Sequence, residues 1–222
     1  MIEIVLDTET TGLKISEGHR IVEIGCLELN NLIPTKNKFH YFLNPERKVS
    51  EDAFKIHGYS DEFLSKQKKF SEIVDEFLEF IKGKRLVIHN AEFDISHLNN
   101  ELNILGKDKI KEEVIDTLQL ASEKFPGSGT SLDALCKKFN INNSIREKHN
   151  ALTDCDLLSK VYINLLDQKE PTFDLYYEKK NENEAINNFS HKYFKKIIKP
   201  SDEELKLHKE FLKREIKKNY FS

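Results

Sequence analysis

Three short segments of the chain hold acidic and imidazole side chains at spacings that suit metal chemistry: Asp7-Thr8-Glu9, His89-Asn90-Ala91-Glu92-Phe93-Asp94 and His149-Asn150-Ala151-Leu152-Thr153-Asp154. Asp7 and Glu9 stand two apart at the end of an apolar, β-branched run, so on a strand both carboxylates face the same side. Two like charges that close need a cation between them or a raised pKa, although a lone Asp-x-Glu also fits a solvated turn. Asp94 falls one turn into a helix that follows a short buried strand, where a βα unit presents functional groups. His149 and Asp154 are five positions apart at the start of another helix, so one turn brings both near a common point. Asp154 can ligate a metal there while His149 sits where an attacking water would be. Taken singly, Asp94 and Asp154 also read as helix-start carboxylates that complement the macrodipole. As a set they are oxygen-rich, hard ligands that select Mg²⁺ or Mn²⁺ over zinc. Two such ions about 4 Å apart can activate a water and stabilise the leaving oxygen in phosphodiester hydrolysis. A neutral histidine can take the water's proton.

The elements that must position these groups are legible from periodicity. Ile2–Leu6, Ile21–Leu29 and Phe39–Leu43 read as three close-spaced strands, an antiparallel meander at the start of a sheet. Phe70, Ile73, Val74, Phe77, Leu78 and Ile81 then recur at helical spacing, ended by Gly83. Leu86-Val87-Ile88 reads as a buried strand, with Asn90 placed to cap the helix that carries Phe93, Leu98, Leu102 and Leu105. Val114-Ile115-Asp116 is a fifth strand, and Leu118–Phe125, Leu132–Phe139 and Ala151–Leu166 are helical, the middle one behind a capping pattern at Thr130–Asp133. Strands followed by alternating helix and strand imply a mixed α/β sheet covered by helices. Beyond Leu166 the chain turns Asn-, Lys- and Glu-rich and reads as a flexible linker. After Pro200, Ser201-Asp202-Glu203-Glu204 forms a capping box, and Leu205, Phe211, Leu212 and Ile216 give one apolar stripe on an otherwise polar helix. Such a helix cannot bury its stripe alone and is expected to dock on a partner.

Composition narrows the function further. With 38% hydrophobic and 33% charged residues in 222, the chain can bury one sizeable core. Cys26, Cys136 and Cys155 are widely spaced and suggest buried thiols rather than a disulfide framework or a zinc site. No apolar run reaches the roughly 20 residues needed to span a bilayer, and MIEIVLDTET lacks the pattern of a signal peptide, so a soluble, cytoplasmic protein is expected. Residues 167–222 carry 13 Lys+Arg against 11 Asp+Glu, which leaves the body at −5 of a net −3. An acidic body is a poor general DNA binder. It suits an enzyme that grips a chain end through metal ions or receives DNA from a partner.

The same motifs carry a family resemblance. Asp7-Thr8-Glu9-Thr10-Thr11-Gly12, His89-Asn90-Ala91-x-Phe93-Asp94 and His149-x-Ala151-x-x-Asp154 resemble the three exonuclease motifs of the DEDD superfamily, in its histidine-containing branch. Asp116-Thr117-Leu118, Phe125-Pro126-Gly127, Ser131–Cys136 and Ser201–Leu212 are similar to the proofreading subunits of bacterial DNA polymerase III. The resemblance implies a ribonuclease-H-like fold, a five-stranded mixed sheet flanked by helices, with a flexible C-terminal tail that ends in an amphipathic helix. It implies that Asp7 bridges two metals, that Glu9 and Asp154 complete one site, that Asp94 supports the second, and that His149 is the general base. Thr10 and Thr11 would approach the terminal nucleotide, and Asp52 and His57 match positions near the substrate end. Asn150 stands where many relatives have glycine.

Residues 1–167 are thus expected to form a 3′→5′ exonuclease domain that edits the 3′ end of DNA, 168–200 a linker, and 201–222 a helix that docks on the α subunit of the polymerase. Gln168-Lys169-Glu170-Pro171-Thr172-Phe173 resembles a glutamine-led sliding-clamp peptide, with Pro171 in place of the preferred aliphatic residue. The rival readings are a free-standing RNase-T-like or oligoribonuclease-like end trimmer and a non-catalytic polymerase-binding subunit. The capped C-terminal helix argues against the first, the intact five-residue set against the second.

Overall fold

The computed structural model describes residues 1–144, 148–167 and 200–215. The chain divides into two units, Met1–Leu175 and Tyr176–Ser222. In the first, five strands form one sheet in the order β3-β2-β1-β4-β5: β1 (Ile2–Thr10), β2 (Ile21–Asn30), β3 (Ile33–Phe42), β4 (Arg85–Ile88) and β5 (Val114–Asp116). The β1–β2 and β2–β3 pairs are antiparallel, and β1–β4 and β4–β5 are parallel. The expected meander and mixed sheet are therefore both present.

Strand alternation sends successive side chains of β1 to opposite faces. Ile4 and Leu6 join Phe70, Ile73, Val74 and Phe77 of α3 (Phe70–Ile81) and Leu98 and Leu102 of α4 (Ala91–Ile104) in one core. Val5 joins the opposite core, with Ala121 of α5 (Thr117–Lys124), Leu135 of α6 (Leu132–Lys138) and Leu158, Val161 and Tyr162 of α7 (Ala151–Leu165). Coverage on both faces explains why Ile4–Leu6 of β1 and Leu86–Ile88 of β4 are continuous apolar runs. Cys26, Cys136 and Cys155 are free and buried, as expected.

Several boundaries differ from the sequence reading. β1 continues through Thr10, so Asp7 and Glu9 lie within the strand and not after it. β3 starts at Ile33, in a polar stretch with a proline; as the edge strand it tolerates both. It is reached through a tight turn with Asn31 and Leu32 at φ 49° and 65°. Two short helices, Glu51–His57 (α1) and Asp61–Leu64 (α2), are new; each is started by a serine, Ser50 or Ser60, whose side chain accepts the backbone N–H three residues on. The cap of α6 is Ser131, which accepts from Ala134 N; with alanine at that position the reciprocal half of a capping box is missing.

In the second unit, α8 (Asp202–Glu215) begins with the expected box: Glu204 accepts from Ser201 N at 2.8 Å, and Glu204 N donates to Ser201 Oγ at 3.3 Å. Leu205 and Phe211 on it are exposed. The linker, the Gln168–Phe173 peptide and Ile216 lie outside the described residues. No helix among the described residues is long and apolar enough to cross a membrane.

Candidate active site

The end of β1 supplies two faces of one site. Asp7 and Glu9 share the α7 side, opposite Gly25 and Glu23 of β2 in register. Gly25 is required there: a Cβ would lie 2.6 Å from both Ala151 C and Leu152 N, so the first turn of α7 rests on the strand backbone itself. Cys155 one turn further donates to Gly25 O at 3.2 Å.

Thr8 serves α4 instead. Its backbone N–H and Oγ1 both donate to Asp94 Oδ1, at 3.0 and 2.6 Å. Asp94 is 3% exposed, and burial pushes its carboxyl up to about 7, the Thr8 hydrogen bonds opposing the shift. Asp7 is held well above the usual carboxylate range, chiefly by desolvation and then by repulsion from Asp94, Glu9 and Asp154.

The helix that presents Asp94 is not capped as expected. Asn90 adopts a left-handed conformation, φ 65° and ψ 55°, in which its side chain makes no cap. Asp116, at the end of β5, takes over: its carboxylate accepts from Asn90 N at 3.1 Å, Ala91 N at 3.0 Å and Leu118 N at 2.8 Å. One aspartate thus caps α5 and fixes the start of α4.

Helix α7 is capped by Asn150, whose Oδ1 accepts from Thr153 N at 3.1 Å. His149 lies just before the cap, its backbone N–H bonded to Ile56 O at 3.2 Å. Its ring is 45% exposed, with Nδ1 3.5 Å from Asp154 Oδ2 and 4.0 Å from Glu9 Oε1. Glu9, His149 and Asp154 offer ligand atoms that all lie within 4.8 Å of one another.

All five side chains open on one pocket of about 490 Å³, and none of the described residues that line it is Lys or Arg. The carboxylates of Asp7, Glu9, Asp94, Asp133 and Asp154 surround a pocket without Lys or Arg among its described residues, and with two of the five held at raised pKa they form a donor set that fits hard divalent cations. An adjoining pocket of about 550 Å³ shares Thr8, Glu9, Phe93 and His149 and is also lined by Thr10, Asp52 and His57. Thr11 is elsewhere: fully buried, it bonds His19 Nδ1 at 3.0 Å and accepts from Arg20 N at 3.1 Å. Sequence reasoning missed the role of Asp116 and of Phe93, which lines both pockets. Phe93 could have been flagged by lying one residue before a candidate ligand.

A sheet with three antiparallel and two parallel-added strands, and a carboxylate pocket at the end of its central strand, is the arrangement of a ribonuclease-H-like, metal-dependent nuclease. Comparison with known proteins narrows this class. The exonuclease family RNase_T matches residues 4–162. DNA polymerase III subunit epsilon of Rickettsia conorii is 47% identical over 229 residues, covering 98% of each chain. The protein of that name from Escherichia coli strain K12 is 46% identical over 169 residues, covering 72% of this chain and 70% of its own. The solved structure of exonuclease X in complex with 5′ overhanging duplex DNA superposes with a TM-score of 0.61 at 24% identity, covering 75% of this chain and 92% of that one. The chain belongs to the exonuclease family and, within it, to the DNA polymerase III epsilon subunits. Its activity is that of a metal-dependent 3′→5′ exonuclease with a proofreading role.

Proposed function

We propose that this chain removes mispaired nucleotides from the 3′ end of DNA, with residues 1–167 as the nuclease, 168–200 as a linker and 201–222 as the segment that holds the α subunit of the polymerase. The observation that carries the site assignment is the convergence of Asp7, Glu9, Asp94, His149 and Asp154 on one pocket. Two divalent cations, Mg²⁺ or Mn²⁺, would be held by Asp7 together with Glu9 and Asp154 on one side and Asp94 on the other, and would supply positive charge for hydrolysis of the terminal phosphodiester.

The chain's own residues do the rest. His149 takes the proton of the attacking water. Its Nδ1 lies 3.5 Å from Asp154 Oδ2 and 4.0 Å from Glu9 Oε1, beside the carboxylates that would hold the cation. Its exposure lets the proton pass on to solvent. The terminal nucleoside sits in the adjoining pocket beside Thr10, Asp52 and His57, and Thr11 braces the wall from beneath through His19. Discrimination comes from fraying: a mispaired terminus is cheaper to unstack into a site that takes only an unpaired end.

The acidic body fits an enzyme supplied with DNA by a partner, because tethering raises effective concentration without surface charge. The exposed Leu205 and Phe211 on α8, and a similarity to the rickettsial relative that covers 98% of both chains, support the tail as the tether. Gln168–Phe173 is proposed, on sequence alone, to touch the sliding clamp, and the cytoplasm is the proposed location.

Rates on mispaired DNA, paired DNA and short RNA test the substrate. The expected order has mispaired DNA first; a strong RNA preference would instead make the chain an end trimmer. In the full chain, Phe211→Asp is expected to abolish co-purification with the polymerase while sparing hydrolysis of free single strands. Retained binding would show that α8 is misassigned.

A further inference from the structure

Glu23 is a carboxylate in the middle of an apolar strand, fully buried and opposite Glu9 in register. A buried charge beside other negative groups is strongly unfavourable unless hydrogen bonds hold it. Four donors do so. Oε1 accepts from His40 Nε2 and Asn150 Nδ2, both at 2.7 Å, and Oε2 accepts from Tyr59 OH at 2.7 Å and Ala151 N at 3.1 Å. Two of the four belong to the start of α7, and the backbone N–H among them is one that a helix's first turn leaves without an intrahelical partner.

We infer that Glu23 is a positioning residue for the nuclease reaction: it fastens Asn150 and Ala151 to Tyr59 and so holds His149 at the mouth of the carboxylate pocket. The inference rests on His149 being the base, as proposed above.

Asn150 makes the link in both directions. Its Oδ1 caps α7 at Thr153 N, while its Nδ2 reaches Glu23 and, at 3.0 Å, Tyr59 OH. Glycine at this position would lose all of these bonds. Tyr59 stacks on His57, with ring centroids 4.7 Å apart and planes at 24°, and His57 lines the adjoining pocket. Burial and the neighbouring Glu23 push the Tyr59 phenol up, so it stays a donor. His149 is therefore bracketed: its own N–H is tied to Ile56 O, and the residue after it is tied to Glu23. Releasing one side leaves the ring free to move away from the reacting water, and small misplacements of a catalytic group are costly in rate.

The test is steady-state kinetics on single-stranded DNA for Glu23→Ala, Glu23→Gln and Asn150→Ala, each alone and combined with His149→Ala. Thermal melts establish that every variant is folded at the assay temperature. Glu23→Ala is expected to lower kcat about 10- to 100-fold while KM moves less than about threefold. Glu23→Gln, which keeps the shape and an acceptor for Ala151 N, falls between it and the parent, and carries the test if the alanine variant does not fold. In the His149→Ala background neither change should lower kcat by more than about twofold, because residues that act as a unit are not additive. Wild-type kcat in folded Glu23→Ala and Glu23→Gln, or an undiminished loss in the His149→Ala background, overturns the inference and leaves His149 as the base. Full activity in His149→Ala itself overturns the role of His149 and the inference with it.

Discussion

Helices α4 and α7 both start at the rim of the carboxylate pocket, yet they are held there differently. The start of α4 has no cap of its own; Asp116 from β5 supplies it, and Asp94 is locked to Thr8 by two hydrogen bonds in a nearly dry setting. Helix α7 caps itself with Asn150 and is fastened from below by Glu23, while His149 stands outside the cap with almost half its side chain in solvent. The contrast fits the roles proposed above, Asp94 as a cation ligand and His149 as the base. A ligand for a cation has to be fixed before the cation arrives, whatever the cost in raised pKa. A base has to give its proton back to water, so it cannot be buried with the ligands.

Mutations separate the two helices in order of effect. Asp94→Ala is expected to reduce nuclease activity at least about 10³-fold, since a lost ligand removes several kcal/mol of charge stabilisation. It should also abolish the rise in melting temperature on adding Mn²⁺. His149→Ala should lower kcat by about 10²- to 10⁴-fold but leave that rise intact. If the rise disappears in His149→Ala, the ring is a ligand with Glu9 and Asp154 and the contrast collapses.

Smaller effects probe the scaffolding. Asp116→Ala removes the cap of α4 and α5 but touches nothing in α7, so denaturant melts should show a loss of about 1–2 kcal/mol. A further effect depends on pH. Asp94 is pushed up to about 7 in the fold, against about 3.9 for an ordinary aspartate. The unfolded chain therefore ionises first, and cation-free stability declines as pH rises from about 4 to about 7. A cation offsets the charge, so Mn²⁺ should raise the melting temperature more at pH 8 than at pH 5. Equal shifts at both pH values would mean that neither Asp94 nor Asp7 is burdened by its charge.

Much of the site was legible because its chemistry is local. Asp7 and Glu9 declare a shared face by strand period, and His149 and Asp154 by helix spacing, whatever the rest of the chain does. The strands and long helices were legible for the same reason. What escaped depends on partners far along the chain. Asp116 looks like the end of a weak strand, and only the parallel pairing of β4 with β5 brings it under Asn90. Asn90 has the right residue type for a cap, but a left-handed backbone removes it from that role. Glu23 is visible in sequence only as a charge interrupting an apolar strand; its four donors come from β3, α7 and the segment after α1. The polar half of β3 carried no alternation to read, because an edge strand need not bury both faces.

The most direct measurement is release of nucleotides from a labelled primer with a mispaired 3′ end, in Mg²⁺ and in excess chelator, by the full chain and by its Asp7→Ala/Glu9→Ala variant. The expected result is stepwise loss of 5′-mononucleotides from the 3′ end, faster than from a paired primer, and none with chelator or with the variant. Degradation that persists in chelator, or with both carboxylates replaced, would contradict a metal-dependent site built on Asp7 and Glu9.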